Sequence, residues 1–441
     1  MKLKCCNSPV AARVRRRVTT SNDRRISAPV CFRRALLSAA SIVAVVSWLV
    51  FGAEPLRGQV AVQAETVYTM TGEPIRNGVV LVNGKKIEAV GTRDAVKIPE
   101  GYRVLNAKVA TPGLIDAHSV VGLSGWLNQS QDQEQLEKSA PAQPELRAID
   151  GYNPLDPLVD WVRSFGITTI NTGHAPGALI SGQTMIVKTH PPKLEDALLN
   201  PEAMIAVTLG PDALGPKDKS PGTGPKAVAM LRAELVKATE YAQKRAKTDP
   251  DKRAARDLHL EALERALDGK QPFLFTVNRH QDIVAALRVA SEFKLKIVLD
   301  SVADAPLLLD EIKKSNFPVI VHPTMARASG ERENLSFETA SKLKQAGILF
   351  ALQSGYEAYV PKTRVVLLEA AVAAANGLSF SEALASITSD AARLLGIADR
   401  VGTLENGKDA DIALYDGDPF EYTTHCTGVI VSGVVTDIQP H

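Results

Sequence analysis

Cysteine is scarce in this chain: four residues in 441. Cys5, Cys6 and Cys31 precede an apolar run, which leaves Cys426 alone in the remainder. A single cysteine excludes an internal disulfide there, so burial of a core must stabilise the body. Aromatic residues make up only 5% of the chain, which argues against a base-stacking surface for nucleic acid. No glycine-rich phosphate loop and no Cys–His cluster is present. The segment Gly122-Leu123-Ser124-Gly125 lacks the spacing of a nucleophile elbow.

Net charge is also small, +2, but it is unevenly distributed. Residues 1–34 carry ten Lys or Arg and one acid, Asp23. The rest holds 41 basic and 48 acidic residues, a balance of −7. The basic cluster is followed by an apolar stretch from Ala35 to Ala53, and that order is the grammar of export. The stretch exceeds a usual signal core of ~7–15 residues and approaches the ~20 that span a bilayer. Residues 1–58 are therefore expected to be a leader, either a cleaved signal peptide or an anchor through residues 35–53. The body is expected outside the cytoplasm, periplasmic or secreted, and in contact with a membrane only through that segment. No lipobox-type cysteine follows the run.

Past the leader, residues 59–110 are β-rich and punctuated by turns. Short apolar strands then alternate with helical patterns. Phe273–Val277 precedes a helix from Asp282, Lys296–Leu299 precedes one from Pro306, and Pro318–Val321 precedes one from Phe337. Such alternation predicts a parallel sheet buried on both faces, in the count of a (β/α)8 barrel with its site at the C-terminal strand ends. The charged segment 225–268 predicts a helical hairpin packed through Val228, Leu231, Leu235, Ala238 and Ala242. Gln129–Pro144 reads as a loop over the barrel mouth. Its Asp132, Glu134 and Glu137 are candidate substrate contacts or a solvated surface.

Three motifs carry a resemblance. The strand Pro112-Gly113-Leu114-Ile115-Asp116-Ala117-His118 is one. The hairpin Gly78–Gly91 around Asn83-Gly84 and the closing Gly402-Thr403-Leu404-Glu405-Asn406-Gly407-Lys408-Asp409-Ala410-Asp411 are the others. Together they resemble the amidohydrolase superfamily, of the imidazolonepropionase-like kind. The resemblance implies an α/β fold: a TIM-like (β/α)8 barrel over residues 112–399, beside a composite β-sandwich of residues 59–111 and 400–438. It also implies hydrolysis of non-peptide C–N bonds at divalent metals.

Metal ligands in that superfamily follow a plan that this chain breaks. Two histidines two apart on a strand point the same way and converge on one ion; here His118 is followed by Val120. The expected His-x-His-Arg reads Thr276-Val277-Asn278-Arg279, an expected His is Asp300, and Ser-Asp-His reads Ser354-Gly355-Tyr356. The inherited binuclear site is expected to be dismantled. A residual or rebuilt site for one divalent ion such as zinc would use His118, Asp300 and His322. His174 and His190 also fall at expected strand ends, and Lys188 is a candidate relic of a metal-bridging lysine. Asn278, Arg279, Ser354 and Tyr356 are candidate ligand-binding residues. Arg279 and His322 are placed to grip a carboxylate, with Asp300 or Tyr356 orienting them. The alternative is a non-catalytic ligand-binding or structural partner, associated with itself or with a related amidohydrolase. A reporter fused after Leu56 is expected outside the cytoplasm, and a purely cytosolic reporter would overturn the export reading.

Overall fold

The computed structural model describes residues 58–216, 219–247, 249–357 and 365–437. The leader therefore lies outside the described residues. Among the described residues no helix is long and apolar enough to cross a membrane.

The strands in chain order begin with β1 (Gln59–Val67), β2 (Ile75–Asn83), β3 (Lys86–Thr92), β4 (Arg103–Pro112), β5 (Leu114–Ser119) and β6 (Ile167–Thr172). Next come β7 (Ile180–Gln183), β8 (Met185–Lys188), β9 (Leu198–Asn200), β10 (Ile205–Thr208), β11 (Phe273–Val277) and β12 (Ile297–Ser301). The last are β13 (Val319–Val321), β14 (Phe350–Ala351), β15 (Ile412–Tyr415), β16 (Cys426–Val431) and β17 (Val434–Asp437).

Both ends of the described chain share one seven-stranded sheet, ordered β17-β16-β15-β4-β1-β2-β3. Its pivot is the antiparallel pairing of β4 with β15, Pro112 opposite Ile412. The sheet curls on itself, since Ile87 N donates to Lys408 O and Ala410 N to Lys85 O. Val62, Val80, Val82, Ile412, Leu414 and Ile430 fill the interior of the curl. At its rim Gly433 has φ 77°, and a Cβ there would sit 1.8 Å from Gly84 O. Only glycine permits that approach of two turns.

The remaining strands form two mixed sheets, β14-β13-β12-β11-β10-β7 and β5-β6-β8-β9. β10 to β14 are parallel and buried on both faces, hence their unbroken apolar sequence. The sheets meet where Ala117 N donates to Leu352 O and Thr184 N to Met204 O. The result is TIM-barrel-like, but among the described residues the ladders do not close into one parallel ring. The departure has a local cause: β8 runs antiparallel to β6, and β7 antiparallel to β10. The C-terminal ends of β5, β6 and β10 to β14 thus share one face, the mouth, while Lys188 and His190 follow a reversed strand to the opposite face, the base.

Helices are set by ordinary end signals. α1 (Pro157–Arg163) starts with Asp156 accepting from Leu158 N and proline at its first position. α2 (Leu194–Ala197) is a single turn. α3 (Gly224–Arg245) and α4 (Leu258–Leu267) form the inserted hairpin and pack on α5 (His280–Phe293). The buried face of α3 is Ala227, Leu231, Leu235, Ala238 and Tyr241. It is thus rotated slightly from the expected stripe, with Val228 at its edge. α6 (Leu309–Ser315) and α7 (Thr339–Ala346) follow β12 and β13, and α7 stops at the left-handed Gly347. α8 (Val366–Ala375), α9 (Phe380–Ser386) and α10 (Ser389–Leu394) follow β14, α9 with a Ser379–Glu382 capping box.

Leu235 is fully buried whereas its neighbour Val236 is 46% exposed. Leu235→Ala is expected to cost about 2–5 kcal/mol in chemical denaturation and Val236→Ala about 0.5 or less. Equal costs would mean that the hairpin is not packed on the barrel.

Candidate functional site at the barrel mouth

His118 closes β5, whose residues are all buried. Its Nδ1 lies 3.1 Å from Asp300 Oδ1, at the end of β12. Asp300 accepts two further bonds, from Thr276 Oγ1 (2.6 Å) and Gln353 Nε2 (2.8 Å). The carboxyl group is thereby fixed by donors from β5, β11 and the segment after β14. Nε2 of His118 is buried with no hydrogen-bond partner among the described residues, as are Asn171 Oδ1 and Gln353 Oε1. Buried polar atoms are seldom left unpaired, so three of them at neighbouring strand ends mark a polar centre rather than a packed plug.

The chain bends sharply to build this centre. Ser301 and Val302 both have left-handed φ, 74° and 50°. That conformation is costly for a β-branched residue, and such strain concentrates at functional sites. The bend brings Ser301 Oγ to Asn278 Oδ1 at 2.7 Å and Val302 N to Val277 O at 2.9 Å. Nothing in the sequence Asp300-Ser301-Val302 announces it, because no glycine marks the turn.

Ser354 donates to Asp116 through Oγ (2.5 Å) and N (3.1 Å), tying β5 to the chain after β14. Burial raises the Asp116 pKa to about 6 despite those bonds. The Tyr356 ring lies 5.5 Å from the His118 ring. Burial, then the nearby Asp300 charge, raises its phenol well above the ordinary value, so it stays protonated. Leu136 packs on Val120, Ala175 and Tyr356. Its loop is strapped down by Ala175 N donating to Gln135 O at 2.7 Å. The loop of residues 129–144 therefore does cover the mouth, through an apolar contact. Glu137 instead accepts from Ser139 N at 2.6 Å within the loop.

Other residues singled out above fall elsewhere. His322 is buried and bonds Thr339 Oγ1 (3.1 Å) and Pro323 O (3.3 Å). The structure thus joins His118 to Asp300 without bringing His322 to them. Arg279 caps the approach to α5 with Nε on Asp282 Oδ2 at 2.7 Å. Asn278 Nδ2 donates to Glu331 Oε1 at 2.7 Å, and burial, then Asp212, raises the Glu331 pKa. Glu331 escaped sequence reasoning because it lies in a polar loop with no motif. His190 and Lys188 are at the base. There Lys188 meets Asp409 (2.8 Å) and Asp411 (2.9 Å), so its partners are carboxylates of the closing motif and not a mouth ligand.

An amidohydrolase family model matches residues 343–437. The amidohydrolase tasK of Hapsidospora irregularis is 27% identical over 377 residues, 78% of this chain and 38% of that protein. An imidazolonepropionase of Fusobacterium nucleatum is 22% identical over 391 residues, 80% of this chain and 88% of that protein. The crystal structure of an amidohydrolase from Thermotoga maritima superposes with TM-score 0.82 at 25% identity, covering 86% of this chain and all of that one. The chain belongs to the amidohydrolase superfamily. It spans well under half the length of the tasK relative but most of the imidazolonepropionase.

Amidohydrolases typically use a divalent metal, and a zinc site of this kind needs about three converging protein ligands. Among the described residues no group of three or more His, Cys, Asp or Glu is arranged to hold an ion. His118 offers one uncommitted nitrogen, and both Asp300 oxygens are already accepting bonds. The donor set among the described residues does not fit a zinc centre of that kind.

Two buried histidines make the fold's stability sensitive to pH. Burial lowers the pKa of both His174 and His322 to about 4. Unfolded histidine titrates near 6.5, so the unfolded chain binds more protons between these values. The stabilisation is complete above pH 6.5 and is lost as pH falls towards 4. Asp116 works the other way, its contribution fading as pH rises from about 4 to 6. His174→Gln and His322→Gln should each flatten the acid limb of a stability–pH curve, by roughly 3 kcal/mol at most. An unchanged limb in both variants would refute neutral burial of these rings.

Proposed function

We propose that this amidohydrolase hydrolyses a non-peptide C–N bond of a small cyclic or acyl amide, with His118 as general base and without the superfamily's paired metals. The observation that carries the reading is the His118–Asp300 pair with an unpartnered Nε2. With its Nδ1 proton donated to Asp300, His118 presents an Nε2 lone pair to water. Water attacks the amide carbon as His118 takes its proton, and the resulting oxyanion accepts a hydrogen bond from the protonated Tyr356 hydroxyl. Collapse of the tetrahedral species breaks the C–N bond, and His118 returns the proton to the departing nitrogen. Asp300 holds the imidazole's tautomer and orientation throughout, in the manner of other His–carboxylate pairs. The donor set supports a degenerate metal site, retaining one divalent ion at most, as part of the same reading. Export, with the body released or anchored through residues 35–53, belongs to the same proposal.

The relatives' names put imidazolonepropionate first among candidate substrates, and N-acyl amino acids and other cyclic amides complete the screen. With the active substrate, His118→Asn is expected to lower kcat/KM by about 10²–10⁴ and Asp300→Asn by a comparable factor. Elemental analysis of the dialysed protein is expected to give fewer than two equivalents of transition metal. Turnover unaffected by His118→Asn, or two tightly held metal equivalents required for it, would overturn the reading.

A further inference from the structure

A second candidate site lies at the base, on the far side of the strands from the mouth. A cleft of about 270 Å³ is lined by Lys85, Lys86, Lys188, Arg400, Asp409 and Ser432, among others. These residues come from the β2–β3 turn, the end of β8, the segment after α10, the closing motif and the β16–β17 turn. The fold assembles cations here that are far apart in sequence.

The charges in the cleft do not balance. Asp409 pairs with three of them: Lys86 Nζ at 2.8 Å, Lys188 Nζ at 2.8 Å and Arg400 Nη2 at 2.7 Å. Burial pushes the Asp409 pKa up, but Lys188, Lys86 and Arg400 outweigh it and hold the group at about 2. Asp411 adds one more carboxyl, accepting from Lys188 Nζ (2.9 Å) and Ser432 N (2.7 Å), while Ser432 Oγ accepts from Lys188 Nζ at 2.9 Å. Asp196, also in the lining, sits 3.7 Å from Lys193. Lys85 is exposed and has no carboxylate partner among the described residues. Three cations thus share Asp409 and Asp411, Lys85 stands unpaired beside them, and the surplus positive charge lies around a concave surface.

A hub serving only to join sheet and barrel would need Lys188 and its two aspartates, because those alone are buried. Lys86 and Arg400 remain about half exposed while pointing into the same carboxylate, and Lys85 adds charge with no pairing role. Cations arranged from a dry interior to a wet rim focus their field into the cleft. We propose that this cleft binds a small multivalent oxyanion of the phosphate class, held by Lys85, Lys86 and Arg400 above the fixed Lys188–Asp409 pair. The volume admits a phosphate group with several waters, at about 30 Å³ for each water. Binding would tie the β2–β3 turn to Arg400 and stabilise the junction of sheet and barrel. The proposal is independent of the chemistry at the mouth.

The test is equilibrium dialysis of the full chain with labelled inorganic phosphate at constant ionic strength, alongside thermal unfolding. The expected result is one equivalent of phosphate per chain, with a saturable rise in Tm that chloride at equal ionic strength does not give. Lys85→Ala should weaken binding roughly fivefold and leave the unliganded Tm unchanged, since its side chain supports nothing else. Lys85→Ala combined with Arg400→Gln should remove measurable binding. Competition by glycerol phosphate stronger than by sulfate would assign the site to a phosphate ester, and equal competition would assign it to the free oxyanion. No binding beyond that of chloride, or binding unaltered in both variants, overturns the proposal.

Discussion

The buried ammonium of Lys188 is the constraint on which the remaining architecture turns. It sits 1% exposed at the end of a reversed strand, where an unpaired charge would cost several kcal/mol. The closing motif supplies the counter-charge: Asp409 and Asp411 flank one alanine and reach it from the strand-entry side of β15. Because β15 pairs with β4, and β4 runs straight into β5, the same ion pairs fix where the barrel-like half begins. Removal of one partner would strand the others in a dry interior.

From that anchored base the strands carry chemistry to the opposite face. His118 is only two residues beyond Asp116, and Asp116 is pinned by Ser354 across the join between the two sheets. The His118–Asp300 pair spans from the first barrel strand to β12, so its geometry depends on the sheets keeping their relative position. Strands rather than loops hold His118 and Asp300, which keeps the imidazole closely oriented. The loops at this face instead contribute the strap of residues 129–144 and the polar residues Asn278 and Glu331.

Much of this was legible in the sequence. The Asn83-Gly84 turn, the buried apolar strands from Phe273 to Val321, and the loop before Pro144 follow from local pattern, because each is decided by neighbours along the chain. The non-ligating Val120 and Gly355 are likewise plain from residue identity alone. What escaped was long-range. The reversal of β8 leaves no trace in an apolar Met-Ile-Val-Lys, which packs equally well in either direction. Lys188 and His190 were therefore assigned to the wrong end. The union of His118 with Asp300 depends on barrel curvature and on left-handed Ser301 and Val302, neither of which has a sequence signature. The stripe on α3 was displaced because tertiary packing selected Ala227 and Tyr241 over Val228 and Ala242.

The strap across the mouth has a kinetic side. Leu136 lies on Tyr356, and Gly177 has no side chain because a Cβ there would come within 2.5 Å of Leu136 Cδ2. The seal is thus built from both sides, and His118 beneath it has no contact with solvent. A molecule that approaches the imidazole past Tyr356 would have to displace the Leu136 contact. Loop motions of this kind fall in the microsecond-to-millisecond range, the timescale on which that contact would break and re-form.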